Sequence, residues 1–206
     1  MPRISQAQPP AVPSTPLQHG RRERLRRAAA RLGAAKGLEQ VQMTEVAAVA
    51  GVALGTLYRY YPSKHHLFAD LMLSGVDDVR PLEVSPTADP GARVAELIIG
   101  AVRGVLRHPT LGRAMITSVN ALRAETGAQG DNTFRDRIVS VAGIADPTDD
   151  DLRLARLVEQ TTYGVLTWAA AGEFSADEAE VDLRRACALL LAPWAGRRPA
   201  NLPIDV

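Results

Sequence analysis

The stretch Thr44-Glu-Val-Ala-Ala-Val-Ala-Gly51-Val-Ala-Leu-Gly-Thr-Leu-Tyr58-Arg-Tyr-Tyr-Pro62-Ser-Lys64 decides how this chain folds. Thr44 suits an N-cap, because its hydroxyl can accept a free amide of the first helical turn. A short helix then runs to Ala50. Gly51 suits the left-handed position that ends a helix, where a side chain is strained and glycine is not. A second short helix spans about Leu54 to Tyr61, and Pro62 stops it. Two short helices joined by a tight glycine turn form a helix-turn-helix. Ala47 is small enough for the second helix to cross closely above it. Val46, Ala50, Val52 and Leu57 supply the small core of that crossing. Leu54, Gly55, Tyr58 and Arg59 are left outward on the second helix, the face that can enter a DNA major groove. The same pattern also fits an ordinary αα-corner, so the surrounding sequence has to decide.

Upstream, Leu25, Ala28, Leu32 and Ala35 recur at spacings of three and four from Arg21 onward, and Gly37 ends that helix. It carries Arg21, Arg22, Arg24, Arg26, Arg27 and Arg31. Residues 1–76 hold ten basic and four acidic side chains, a surplus of six positive charges, while the rest holds fourteen against nineteen. A basic front and an acidic back point to a polyanion partner for the front alone. Phosphate contacts dominate nucleic-acid affinity, and arginines supply them. Lys64 follows Ser63, an N-cap for the next helix, where backbone amides already favour a phosphate. Residues 1–20 carry five of the fourteen prolines and read as a disordered tail.

Downstream, the punctuation is helical throughout. A helix from Lys64 to about Val79 gives way to a loop marked by Pro81, Pro86 and Pro90. Asp89-Pro90 starts a helix to about Arg107, since proline fits the first helical position. His108-Pro109 breaks it, and another helix reaches about Glu125. Gly127 and Gly130 form a gap before a shorter helix, Asn132 to Ala142. Asp146-Pro147-Thr148 caps a long helix to Gly172. Ser175 and Glu178 form a capping box for the last helix, which ends before Pro193. No alternating β-branched segment appears, and there is no internal repeat. The expected fold is all-α, with about nine helices. The expected division is a tail over 1–20, a DNA-binding domain over 21–75, an effector-binding and dimerisation domain over 76–194, and a tail over 195–206.

Gly51-Val52 followed by Gly55-Thr56-Leu57-Tyr58-Arg59-Tyr60-Tyr61-Pro62-Ser63-Lys64 resembles the signature of TetR-type transcriptional repressors. The likeness covers about residues 21–75. It implies that Thr44 caps its helix and touches a phosphate, that Leu54, Gly55 and Tyr58 meet the bases, and that Thr56, Tyr60 and Lys64 hold phosphates. Leu54 can read a thymine methyl group but no donor or acceptor. Arg59 is the one flexible charge on this helix, suited to guanine or to backbone. Tyr61 departs from the family's usual phenylalanine. It is expected to pack into the core with its hydroxyl reaching the surface. Val41-Gln-Met, the block Val52 to Tyr60 and Arg107-His-Pro-Thr-Leu resemble, more narrowly, the branch that represses sterol and lipid catabolism in actinobacteria.

The resemblance implies a regulatory domain whose last two helices form a four-helix bundle with a second copy of the chain. The spacing supports it separately. Leu154, Val158, Thr161, Val165 and Trp168 make one seam, and Ala179, Leu183, Cys187 and Leu190 another. The expected dimer interface is Leu154, Val158, Thr161, Val165, Leu183, Cys187 and Leu190. A hydrophobic effector (lipid, acyl-CoA or steroid-like) is expected to bind among Met72, Val76, Val102, Leu106, Met115, Val119, Leu122, Tyr163 and Trp168. Asn120, Thr117 or Arg123 could supply polar contacts. The implied mechanism is repression from a palindromic operator by a homodimer, relieved when the effector shifts the helix starting at Lys64.

Catalysis is not expected. His19, His65, His66 and His108 show no metal-ligand spacing, and no nucleophile elbow or phosphate-cradling loop occurs. Asp149-Asp150-Asp151 could suggest a metal, but acids in a first turn suit the helix dipole. No cofactor or metal is expected. Cys187 is the one cysteine of the 206 residues, which excludes an internal disulfide. No run of 18 apolar residues and no leader-like apolar segment occurs, so a cytoplasmic protein without a membrane partner is expected. The alternative is a nucleoid-type DNA-binding protein without an effector, which salt dependence and sequence specificity would distinguish.

Overall fold

The structure, a computed structural model, describes residues 11–77, 89–126 and 133–197. Nine α-helices occur among the described residues, and no strand: α1 (Pro16–Gln40), α2 (Met43–Ala50), α3 (Leu54–Tyr60), α4 (Lys64–Asp77), α5 (Pro90–Leu106), α6 (Pro109–Thr126), α7 (Thr133–Ala142), α8 (Asp149–Ala171) and α9 (Ala176–Leu190). A 3₁₀ turn at Ala192–Trp194 follows α9.

Several boundaries differ from the sequence expectation. Helix α1 begins at Pro16, inside the segment read as a disordered tail. Thr15 caps it: its hydroxyl accepts the Gln18 amide, and the Gln18 side chain returns to the Thr15 amide. Thr-Pro-Leu-Gln is therefore a capping box with proline at the first position, not merely proline-rich sequence. Ahead of it, Pro13 is buried and the Ala11 amide donates to the Arg59 carbonyl at 2.8 Å. Residues 1–10, Val79, Pro81, Pro86, Gly127, Gly130, Asn132 and the stretch beyond 197 lie outside the described residues. Thr44 is not the cap of α2. Gln42 occupies that position without a side-chain hydrogen bond, and Thr44 sits exposed in the first turn. Helix α3 stops one residue short of Tyr61. Asp89, Thr148 and Ser175 cap α5, α8 and α9, as their spacing predicts.

Two apolar clusters hold the helices. One joins α5, α7, α8 and α9 around Ile98, Ile99, Ile138, Val158, Leu183 and Trp194. The other joins α1 to α4 around Leu25, Val46, Leu57, Leu67 and Phe68, and it takes in Ala114 and Met115 of α6. Met72 and Val105 pack against both. The four N-terminal helices therefore rest their core on α6.

Asp151 answers part of the question raised by the triple aspartate. Its carboxylate accepts the Thr148 amide and hydroxyl at 3.0 and 2.8 Å. Its other oxygen accepts the Trp194 indole N–H and Arg197, both at 2.8 Å. Burial alone would push this carboxyl's pKa up. The bonds from Thr148 and Trp194 and the Arg197 charge more than offset that, holding it below the usual range. The contribution to stability is thus present above the unfolded pKa and is lost as pH falls through the folded one. Asp151→Ala is expected to cost about 3 kcal/mol, roughly 1 from the cap and roughly 2 from the unpaired indole and guanidinium. Urea melts at pH 7 and pH 3 test it: the wild-type advantage over Asp151→Ala should shrink at the lower pH.

Candidate nucleic-acid interface and effector cavity

The turn between α2 and α3 places Gly51 at φ 65°, ψ 42°. No atom beyond its chain neighbours lies within 4 Å of where its Cβ would stand, so conformation and not crowding requires glycine there. Arg24 of α1 donates to the Ala50 carbonyl at 3.1 Å, holding the C-terminus of α2. Lys36 pairs with Glu45 and ties α1 to α2. Inward, Leu57 is wholly buried in the α1–α4 core. Outward, Leu54, Gly55, Tyr58 (46% exposed) and Arg59 share the free face of α3, with Thr56 at its edge. Gly55 leaves bare backbone on that face, with open space above it.

Two of the expected phosphate contacts are turned toward the chain itself, and a third loses only its capping role. Tyr60 is 4% exposed, and its hydroxyl is buried without a partner among the described residues, so it faces the core and not a phosphate. Lys64 donates to the Leu38 carbonyl at 3.1 Å, capping the end of α1. Thr44 is exposed, but it is not the helix cap.

The arginines of α1 are likewise mostly engaged. Arg26 grips Asp70 of α4 through both carboxylate oxygens, at 2.7 and 3.1 Å. Arg22 adds a bond to the same carboxylate at 2.5 Å. The Tyr61 hydroxyl does not reach the surface: it donates to Asp70 at 2.5 Å and accepts from Arg22 at 3.2 Å. Burial would raise the Asp70 pKa, but Arg26, Tyr61 and Arg22 together hold it below the usual carboxylate range. Burial and the bond to Asp70 push the Tyr61 pKa well above the ordinary phenol value. Arg27 pairs with Glu23 at 3.5 Å across the helix surface. Arg21 and Arg31 have no carboxylate or carbonyl partner among the described residues. Sequence alone could not separate these roles, because Asp70 lies more than forty positions away.

A cavity of about 380 Å³ lies between the two halves. That is at the small end of the roughly 300–1,000 Å³ typical of ligand sites. Met72, Val102, Met115, Val119 and Tyr163 line it, as the sequence suggests. Leu106 and Leu122 do not. Nor does Trp168, which is 61% exposed on α8. Val76 falls among side chains that are not described. Missed lining comes from Phe134, Leu111, Thr162 and Leu166, and from α1 itself through Glu23, Arg26 and Arg27. Of the polar candidates only Arg123 lines it; Asn120 accepts the Tyr163 hydroxyl at 3.0 Å, and Thr117 is exposed outside it.

Much of the expected dimer seam packs within this chain. Val158, Leu183 and Cys187 are buried within the chain's own core, and Leu154, Val165 and Leu190 pack against it. Thr161 is half-buried and bonds back to Leu157. Burial pushes the Cys187 thiol up to about 11. The free apolar face holds Trp168 of the expected seam together with Leu157 on α8, in line with Thr161 and Gly164, beside Val181 (66% exposed) and Leu189 (62%) on α9. Among the described residues no cluster of potential metal ligands occurs, and no helix is long and apolar enough to cross a membrane.

A helix-turn-helix presenting a free α3 face, seated on a helical domain with a cavity, is the architecture of a DNA-binding regulator. Residues 25–71 match the family described as bacterial regulatory proteins, tetR family, and residues 88–190 match the tetracyclin repressor-like C-terminal domain. The chain belongs to the TetR family. It is 31% identical over 190 residues to the HTH-type transcriptional repressor KstR of Rhodococcus jostii strain RHA1, covering 90% of this chain and 89% of that one. A crystal structure of a TetR transcriptional regulator from Rhodococcus sp. RHA1 is 42% identical, with a TM-score of 0.75 over 84% of this chain and 96% of that one. Thermus thermophilus FadR, solved with lauroyl-CoA, shares the fold at 22% identity and a TM-score of 0.59, over 88% of this chain and 98% of that one.

Proposed function

We propose that this protein is a cytoplasmic repressor that binds a palindromic operator as a homodimer and leaves it when a small hydrophobic effector fills the cavity. The outward face of α3 carries the DNA-binding part of the reading. Leu54, Gly55, Tyr58 and Arg59 point away from a rigid core, and Thr56 lies at the edge of that face. KstR, the 31% identical relative, is a transcriptional repressor by name. The unpartnered face of α8 and α9 supports pairing with a second copy, which would set two α3 helices about one DNA turn apart. The apolar walls of the cavity favour a lipid, acyl-CoA or steroid-like body, and FadR was solved with lauroyl-CoA.

Release follows from placement. Residues 71–75 of α4 line the cavity, and the same helix carries Asp70, which Arg22 and Arg26 hold from α1. An effector that fits only one setting of α4 shifts the population toward that setting. The test is a gel shift on the DNA upstream of the protein's own gene, with salt varied. A discrete complex on a palindrome is expected, with Tyr58→Ala weakening it by about 1–3 kcal/mol, or roughly 5–150-fold, per half-site. Binding to any DNA, indifferent to Tyr58, would favour the general binder instead.

A further inference from the structure

We propose that the effector is an amphipathic anion, its acidic group held by arginines at the rim where α1 meets α6, and that Arg26 carries its presence to the DNA-binding unit. This rests on the effector reading above. The cavity's walls are mostly apolar, with a few charged side chains among them. Its ionisable lining is Glu23, Arg26, Arg27, Arg123 and Glu159. Glu159 is matched by Arg135 at 3.1 Å. Glu23 is shared between Arg27 at 3.5 Å and Arg26 at 3.8 Å. Behind them stand Asp70 and Arg22. Five arginines thus face three carboxylates, a surplus of two positive charges beside an apolar hollow.

Arg123 holds the exposed part of that surplus. Its guanidinium lies 4.6 Å from the Tyr163 ring centroid and has no carboxylate partner among the described residues. A planar cation stacked on a ring keeps its edge donors free, the geometry that grips a carboxylate or phosphate. Tyr163 is fixed in turn by its hydroxyl, which donates to Asn120 at 3.0 Å.

Arg26 belongs to two structures at once. It lines the cavity, and it makes the two-point grip on Asp70 that ties α1 to α4. Its other partner, Glu23, is half exposed and distant. An anion arriving at the rim competes with Asp70 for this guanidinium. Drawing Arg26 away leaves Asp70 with Arg22 and Tyr61 alone and loosens the joint between α1, which holds the end of α2, and α4. By reciprocity, whatever weakens the Arg26–Asp70 grip must strengthen binding of the anion.

The experiment compares acids with alcohols of the same skeleton. Dodecanoate and 1-dodecanol, and cholan-24-oate and cholan-24-ol, are titrated calorimetrically into the full chain at low and moderate salt. At least one acid is expected to bind tenfold or more tighter than its alcohol, with the gap narrowing as salt rises. Arg123→Gln should remove most of that gap and leave the alcohol unchanged. Asp70→Asn, which removes the charge that Arg26 grips, should tighten the acid severalfold and not the alcohol. Alcohols that bind as well as acids overturn the proposal while leaving the effector cavity standing. An acid preference untouched by Asp70→Asn overturns the route through Arg26. Failure of all four compounds to bind removes the effector reading for these skeletons, and this inference with it.

Discussion

A Trp168→Glu chain is expected to run as a monomer and to lose its hold on the operator. Trp168 is the largest side chain on the free α8 face and is 61% exposed. Covering that much indole removes on the order of 100 Å² from water, worth roughly 2–3 kcal/mol at about 25 cal/mol per Å². In a two-fold interface each substitution occurs twice. The loss is therefore about 5 kcal/mol for the pair, or some three to four powers of ten in dimer dissociation. The added carboxylate, unpaired in an apolar contact, increases it. The monomer itself should stay folded, because Trp168 contributes little to the chain's own core. Sedimentation at micromolar concentration and a gel shift on the operator read the two consequences. A Trp168→Glu protein that stays dimeric would move the interface off α8 and α9. Val158→Glu is the informative contrast. That position belongs to the internal core, so it should unfold the chain instead of dissociating it.

The inward and outward stripes behind that contrast show what sequence pattern can and cannot carry. A long helix between its own core and a partner has apolar residues on adjacent stripes. Spacing finds stripes, but it does not say which is inner. Leu154, Val158 and Val165 turn inward, while Leu157, Thr161, Gly164 and Trp168 share the outer side. The helix-turn-helix was legible because its rules are local: a left-handed glycine, a small residue at the crossing and a proline stop. The cap at Thr148 and the capping box at Ser175 were legible for the same reason, and the box at Thr15 was hidden only by the prolines around it. What stayed out of reach was pairing across the chain. Six arginines on one helix look like a basic face until Asp70, Ala50 and Glu23 are seen to engage four of them. The part of the cavity formed by α1 is hidden in the sequence for the same reason, since Glu23, Arg26 and Arg27 lie some fifty or more positions ahead of most of its other lining.

Gly33→Val is expected to lower the melting temperature by about 10 °C, while Gly55→Ala leaves the fold intact and weakens operator binding. The two glycines sit in good helical geometry and differ only in their surroundings. A Cβ on Gly33 would lie 2.5 and 2.9 Å from two carbons of the Phe68 ring and 3.0 Å from the Leu111 side chain. Phe68 is wholly buried and has nowhere to swing. Overpacking of this kind costs about 1–3 kcal/mol for a small intrusion, and valine adds two further methyl groups. Roughly 1 kcal/mol returns from replacing glycine in a helix. A net loss near 3 kcal/mol corresponds to a shift of about 10 °C at roughly 2–4 °C per kcal/mol for a chain of this size. The clash falls where α1, α4 and α6 meet, so it also spreads the joint through which the cavity and the reading head are connected. Gly55 has open space above it, and its alanine variant should gain about 0.5–1 kcal/mol of stability. Any loss of operator affinity there comes from the methyl group standing between α3 and DNA. Thermal melts and gel shifts on both variants separate the cases. Adding Phe68→Leu to Gly33→Val should recover part of the lost stability, because a shorter side chain opens the space the new one needs. If the double variant is no better than Gly33→Val alone, the contact with Phe68 is not what requires glycine at this crossing.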